Sequence, residues 1–423
     1  MPAGSHRIID FLKQTLARRT PADLARLQPR HDPSPPKVPG GADSGDAAVE
    51  ERWCLPGMPA HARAALTDER TRESPDRGGH HIENFIGTVQ VPVGLAGPLR
   101  VNGLFANGDF YVPLATTEAT LVASYSRGAQ LITDAGGCTA LVLNEGVSRT
   151  PGFAFATLAD AALFVLWATA ALDDFRRIVE TTTQHGRLVD LQATVEGNHV
   201  YLGFDFTTGD ASGQNMVTIA TEAACRHIDE HSPIRPLYSF VEANLSGDKK
   251  ATSHSFTSVR GKKAAAEVVL PADLVARRLH TTPAVLIDYW RMSALGGVMS
   301  GSIGVQGHYA NGLAAIFIAC GQDAACVAES AVGVTRFELR DDGALYAAVT
   351  LPSLMVGTVG GGTTLPGQRA CLDILGLAGA DHAHALAEVC AGLLLAGELS
   401  ITGALAAGQF TQAHRRLARG DRH

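Results

Sequence analysis

None of the seven cysteines (54, 138, 225, 320, 326, 371 and 390) lies in a CxxC pair, and their number is odd. Neither a disulfide framework nor a zinc-ribbon site is therefore expected, and the thiols read as reduced and mostly core-bound, as in a cytoplasmic protein. A long basic stripe with interleaved aromatics is also missing, and 35 Lys and Arg against 42 Asp and Glu leave a net charge of −7. That balance argues against a nucleic-acid partner. The longest apolar run, 161–172, is bracketed by Asp160 and Asp173. It falls well short of the ~20 residues a bilayer requires and reads as a buried helix. The N-terminus MPAGSHRIIDFLKQTLARRT has no apolar stretch and cleavage site of the secretory kind. A soluble, cytoplasmic protein with no membrane partner is expected. No GxGxxG opens a helix, so a Rossmann reading has no fingerprint.

What is present is a chain of 423 residues, 46% hydrophobic and 18% charged, with 45 dispersed glycines. That length exceeds what one core usually organises, and the composition is that of a globular enzyme. Residues 1–50 read as a helix followed by a Pro/Gly linker. Short strands and tight turns follow from residue 81, and LATTEATLVASYSRGAQLI reads as a helix entered through Thr116 or Thr117. Residues 151–240 differ in kind, with a helix over about 158–180, two strands, and the Gly-loop GDASGQNM opening another helix. They suggest an inserted α+β unit. The flanks 51–150 and 255–405 form the larger domain, 241–254 a loop, and 406–423 a mobile basic tail.

Several residues carry chemistry on their own terms. GDASGQNM presents backbone N–H groups and a helix N-terminus to a phosphate. Glu118, among apolar and hydroxyl neighbours, is either a helix-capping carboxylate or a proton donor near neutrality. Asp323 is either a cap or a buried charge that needs Lys249. HIDEH matches the HxxEH pattern of zinc hydrolases through His227, Glu230 and His231, with no third ligand in evidence; it is an exposed helix end otherwise. His382 and His384 read as surface residues.

Together, ENFIGTVQVPVGLAGPL, ATTEATLVAS, GDASGQNM, GDKKA, ACGQDAA, GGGTTLPGQRACLDILG and AGELSITGALAAG resemble, in order, the signatures of hydroxymethylglutaryl-CoA reductases. ATTE and its spacing to the last histidines are closer to the eukaryotic and archaeal form. The resemblance implies an α+β fold, with a large domain around a central helix and an inserted ferredoxin-like, NAD(P)-binding domain at 151–240. It implies reduction of a thioester by two hydrides through a hemithioacetal and an aldehyde to mevalonate. By the same resemblance, Lys249 stabilises the oxyanion, Glu118 donates protons, Asp323 links the two, and His414 protonates the departing thiolate. Arg149, Lys250 and Arg291 meet the substrate carboxylate; Asp248 orients their loop, and Glu83, Asn311, Asp248 and Glu242 line the substrate site. Asp210, Ser212, Gly213, Gln214, Asn215, Met216, Gly360, Gly361, Gly362 and Thr363 hold the cofactor, with Arg187 facing the 2′-phosphate of NADPH; NADH is the alternative. No metal is implied, and a homodimer or higher homo-oligomer is.

Departures from the family pattern cluster near substrate: Glu242 replaces a serine, Ala243 and Ala119 replace glycines, Gln214 a methionine, Gln306 an asparagine and Gln409 a histidine. Glu242 is expected to repel a substrate carboxylate unless a cation neutralises it. Gly420 stands where some eukaryotic members carry a phosphorylated serine.

Overall fold

The structure, a computed structural model, describes residues 4–17, 19–25, 35–41, 45–67 and 82–408. His414 and the rest of 409–423 lie outside the described residues. Backbone contacts divide the chain into Met1–Thr88 and Val89–His423.

The first unit contains α1 (Gly4–Ala17), α2 (Pro21–Ala25), α3 (Asp46–Trp53) and α4 (Ala60–Leu66). Arg52 and Trp53 are buried at the end of α3. Their side chains donate to the carbonyls of Pro39, Phe85 and Ile86, so two separate segments share one pair of anchors.

The second unit is α+β. Its strands are β1 (Val93–Gly103), β2 (Asn107–Ala115), β3 (Cys138–Arg149), β4 (Gly152–Ala154), β5 (Arg187–Glu196), β6 (His199–Thr207), β7 (Tyr238–Phe240), β8 (Gly261–Leu270), β9 (Val334–Leu339) and β10 (Leu345–Leu354). Its helices are α5 (Leu121–Asp134), α6 (Leu158–Ala170), α7 (Leu172–Glu180), α8 (Gln214–His231), α9 (Ala272–Leu279), α10 (Pro283–Ser300), α11 (Tyr309–Ala319), α12 (Val327–Ser330), α13 (Pro366–Leu375) and α14 (Ala383–Ala406). The sheet runs β7-β4-β6-β3-β8-β10-β9, with β5 on β6 and the β1–β2 hairpin on β3.

Strand β3 serves two parts of the sheet: Thr139–Gly146 pair antiparallel with β8, and Val147–Arg149 pair with β6. From its end the chain leaves at Thr150 and returns at Ala243, whose N–H donates to the Thr150 carbonyl at 2.8 Å. Between them, Val200, Leu202, Phe204 and Phe206 alternate on β6 and are fully buried, as period-two patterning requires. Their opposite numbers include Phe164, Phe175, Val217 and Ile228 from α6, α7 and α8.

The centre is α14, which packs on α5, β3, β8, β10 and α11. By length and composition it could cross a bilayer, but 83% of its apolar window is buried inside the protein. It approaches its neighbours through small residues: a Cβ on Gly128 of α5 would lie 1.8 Å from the Ala396 carbonyl oxygen, and the Tyr125 ring fills the notch left by Gly312 and Gly397. Two acids sit in this helix. Glu398 accepts from the N–H groups of Gly307 and His308 and from the Thr335 hydroxyl, and Glu388 accepts from Phe105 and Ala106. Each satisfies a loop that the strands alone leave unpaired.

Two expectations change. The 158–180 helix is broken at Ala171, and α6 buries only Ala161, Phe164 and Ala168 while Leu163 and Leu166 stay exposed, so it is half-buried, with an apolar outer face, rather than buried. The helix expected from Thr116 or Thr117 starts at Leu121, because Thr120 takes a left-handed backbone (φ 77°) that ends the preceding loop.

Candidate active site

Lys249 lies in the loop between β7 and a 3-10 turn at Ser253–Phe256. Its backbone is left-handed at φ 56°, a conformation costing a non-glycine residue roughly 1 kcal/mol or more. Its ammonium contacts Asp323 Oδ2 at 2.8 Å. Asp323 simultaneously caps the 3-10 turn 324–326 by accepting from Ala325 N at 2.9 Å. Asp323 is therefore both cap and partner of Lys249, but with its side chain 41% exposed it is not the buried charge expected. The hydrogen bond to Asp323 raises the Lys249 pKa, outweighing burial. Burial pushes Asp323 up, but the Lys249 hydrogen bond, the Ala325 N–H and the Lys249 charge together hold it below the ordinary carboxylate value.

A chain of charges holds this loop. Arg149, whose side chain is only 8% exposed, places Nη1 3.2 Å from Glu242 and 3.0 Å from Asp248. Glu242 also accepts from Asn244 N at 2.7 Å and Ser246 Oγ at 3.1 Å. The cation that neutralises Glu242 is thus Arg149 itself, and the Arg149 expected to meet substrate is already shared by two carboxylates. Arg149 Nε is buried without a partner. Arg260 continues the chain, reaching Asp248 at 2.7 Å, the Ser148 carbonyl at 2.6 Å and Glu329 at 2.6 Å. Glu329 in turn accepts from the Lys249 N–H at 3.3 Å. Sequence reading missed Arg260 and Glu329; the available signal was a lone acid in the small, apolar run after Asp323, which demands a buried partner.

Glu118 is an exposed loop residue whose Oε1 accepts from Asn311 Nδ2 at 3.4 Å. Asn311 stands in the first turn of α11, whose far end leads to Asp323. Lys250 is exposed and donates to the Asp248 carbonyl at 2.9 Å. Arg291 is exposed on α10 and paired with Asp288 of the same helix, not with the Lys249 loop. Glu83 is exposed and belongs to the first unit.

Part of the expected cofactor set, Ser212, Gly213, Gln214 and the 360–363 turn, assembles beside Asp323. Gly213 (φ 73°) precedes α8, whose first N–H groups have no intrahelical partner. Ser212 packs on Gly357, and Gln214 donates to Cys326 Sγ at 2.7 Å. Gln322 exchanges two hydrogen bonds with Gly357, at 2.8 and 2.9 Å. Gly321 and Gly362 touch so closely that a Cβ on Gly321 would sit 2.3 Å from the Gly362 oxygen. The turn that carries Asp323 and the 360–363 turn are thereby interlocked. Gly360 and Gly361 have positive φ and open space where a side chain would stand, while Thr358 Oγ1 is buried and unpartnered. Thr363 is buried and bonds the Gly360 carbonyl. This cradle of glycines, helix N-terminus and an orphaned hydroxyl fits a phosphate-bearing dinucleotide.

Asp210 faces elsewhere, accepting from Asp381 N and Ala383 N at the start of α14. Met216 packs over Gly186, and Asn215 is exposed. Arg187 pairs with Glu180 and opposes Thr207, the residue leading into the Gly-loop.

In HIDEH, His227 and His231 stack on each other, and among the described residues no group of three His, Cys, Asp or Glu is placed to hold a metal. His384 is not a free surface residue: it is half-buried, pairs with Glu145 at 2.9 Å and stacks on Phe105.

The sequence profile described as hydroxymethylglutaryl-coenzyme A reductase matches residues 48–419. The 3-hydroxy-3-methylglutaryl-coenzyme A reductase of Aeropyrum pernix is 46% identical over 348 residues, covering 81% of this chain and 82% of that protein. That of Pyrococcus horikoshii is 43% identical over 350 residues, covering 81% and 84%. The solved class II enzyme from Streptococcus pneumoniae, bound to NADPH in open conformations, shares the fold with a TM-score of 0.64 at 20% identity, over 86% of this chain and 97% of that one.

Proposed function

The chain belongs to the hydroxymethylglutaryl-coenzyme A reductase family, and on that premise we propose that it reduces hydroxymethylglutaryl-coenzyme A to mevalonate and coenzyme A, using two NADPH. The observation that carries this reading is the 2.8 Å Lys249–Asp323 pair, set on a turn interlocked with the glycine cradle.

NADPH, when bound, supplies a hydride to the thioester carbon and, in the second reduction, to the aldehyde carbon. Gly213, Gln214 and the α8 N-terminus, with the 360–363 turn, would hold its phosphates, and Arg187 its 2′-phosphate. Lys249 holds the carbonyl oxygen as negative charge develops on it in each reduction, a task for a fixed ammonium. Asp323 keeps that ammonium charged and aimed. When the hemithioacetal collapses, its C–S bond breaks with the electron pair leaving on sulfur, and His414 protonates the thiolate. Glu118, oriented by Asn311, delivers the proton to the final alkoxide. Lys250, an exposed cation of the same loop, would meet the substrate carboxylate.

This reading takes 51–150 and 255–405 as the substrate domain, 151–240 as the cofactor domain and 241–254 as the catalytic loop. It takes the protein as a cytoplasmic homodimer. Four apolar side chains along α10 support the dimer: Met292, Leu295, Val298 and Met299 are 66–84% exposed.

The test is NADPH oxidation by the purified protein with hydroxymethylglutaryl-coenzyme A, with mevalonate identified and two NADPH consumed per mevalonate. One observation favours a second reading: Glu242 occupies Arg149. If kcat/KM is higher for an acyl thioester without a carboxylate, the substrate is that related thioester.

A further inference from the structure

We propose that Glu329 and Arg260 form a positioning pair that sets the backbone of Lys249, and through it the placement of the ammonium on the reacting oxygen. The proposal rests on the reading of Lys249 as the oxyanion-holding group.

Glu329 is 1% exposed and its two oxygens divide between two tasks, one accepting from Arg260 Nε at 2.6 Å and the other from the Lys249 N–H at 3.3 Å. The N–H it receives belongs to a left-handed residue that is not glycine, a backbone state that persists only where its surroundings over-determine it. Arg260, 4% exposed, fixes the other side of the loop by donating to Asp248 and anchors itself on the Ser148 carbonyl of β3. A guanidinium serves all three acceptors because its donors are arrayed in a rigid fork; a single ammonium cannot. The loop is thus gripped at residues 248 and 249 by one buried ion pair, and the side chain between grip and substrate is Lys249.

The test uses Glu329→Gln and, as a variant that keeps opposite charges facing each other should the first fail to fold, Arg260→Lys. Each is assayed with NADPH for thioester and for free aldehyde reduction, per folded active site, beside Lys249→Ala. The expected result is a fall in kcat of tenfold or more for both substrates with KM for NADPH within twofold. The alkaline limb of the kcat profile also moves to lower pH, because an ammonium displaced from Asp323 loses its proton sooner. A lower unfolding temperature with wild-type kcat and an unmoved alkaline limb would mean a purely structural pair and overturn the proposal. Full activity in Lys249→Ala would instead remove the premise, and the proposal with it, whatever the Glu329 variant does.

Discussion

Lys249 and Glu242 stand seven residues apart and make opposite predictions. Truncating Lys249 to alanine removes the group facing the developing charge in both reductions, so kcat should fall by about 100- to 1,000-fold for thioester and aldehyde alike. Substantial aldehyde reduction in that variant would rule out the oxyanion role. Glu242→Ser releases Arg149 from one of its two carboxylates, so KM for hydroxymethylglutaryl-coenzyme A should fall by roughly three- to tenfold with kcat nearly unchanged. The same change strips acceptors from Asn244 N and Ser246 Oγ, costing on the order of 1–2 kcal/mol in chemical denaturation. An unchanged KM would mean that the glutamate only shapes the loop. A third carboxylate reports on pH. Burial, and then the charge of Asp190 directly across the strands, push Asp205 up to about 6 against a Gln192 hydrogen bond that opposes them. Between 3.8 and about 6 the folded protein keeps a proton that the unfolded chain has released, so stability falls as pH rises through that window. Asp205→Asn should therefore stabilise the protein at pH 7, by on the order of 1–3 kcal/mol, and have no such effect below the unfolded-chain value. Equal melting shifts at pH 3.5 and pH 7 would contradict the assignment.

Among the elements, α14 sets the tolerance of the core. Gly128→Ala would drive a methyl group to 1.8 Å from the Ala396 oxygen, and backbone cannot yield as a flexible side chain does. A loss of more than about 3 kcal/mol in urea unfolding is expected; a loss below about 1 kcal/mol would mean that α5 slides along α14 to accommodate it. This element also marks where reading the sequence falls short. The run 161–172 reads as the buried helix because it holds no charge, yet the buried helix is the one containing Glu388 and Glu398. Their partners, the N–H groups of Phe105, Ala106, Gly307 and His308, come from loops 90 or more residues away, and no local pattern encodes them. The start of α5 is hidden for a related reason: hydroxyl residues at 116, 117 and 120 are equivalent as caps in sequence, and only the backbone at Thr120 chooses. Lys249 and Asp323 lie within GDKKA and ACGQDAA, short motifs that resemble the family's and so draw the eye in sequence, whereas Arg260 and Glu329 matter only through what they touch.

For the whole molecule, the exposed apolar residues of α10 make assembly the first question. Leu295→Asp with Met299→Asp should convert the proposed dimer to a monomer in sedimentation velocity and reduce activity with it. A doubly substituted protein that still sediments as a dimer would place the interface elsewhere. The joint between Thr150 and Ala243 has a different consequence. A segment of 92 residues leaves and returns within one hydrogen bond, and the residues at that joint, Arg149 and Glu242, are the ones clasped to each other. Such a segment is geometrically a cassette: one from a relative with another nucleotide preference could be spliced in between 150 and 243 without lengthening or shortening any other connection. The clasp would then act as its latch, so a graft that omits the acid at 242 would seat the foreign cassette loosely at the joint, while Arg260 and Glu329 would still hold the neighbouring lysine loop.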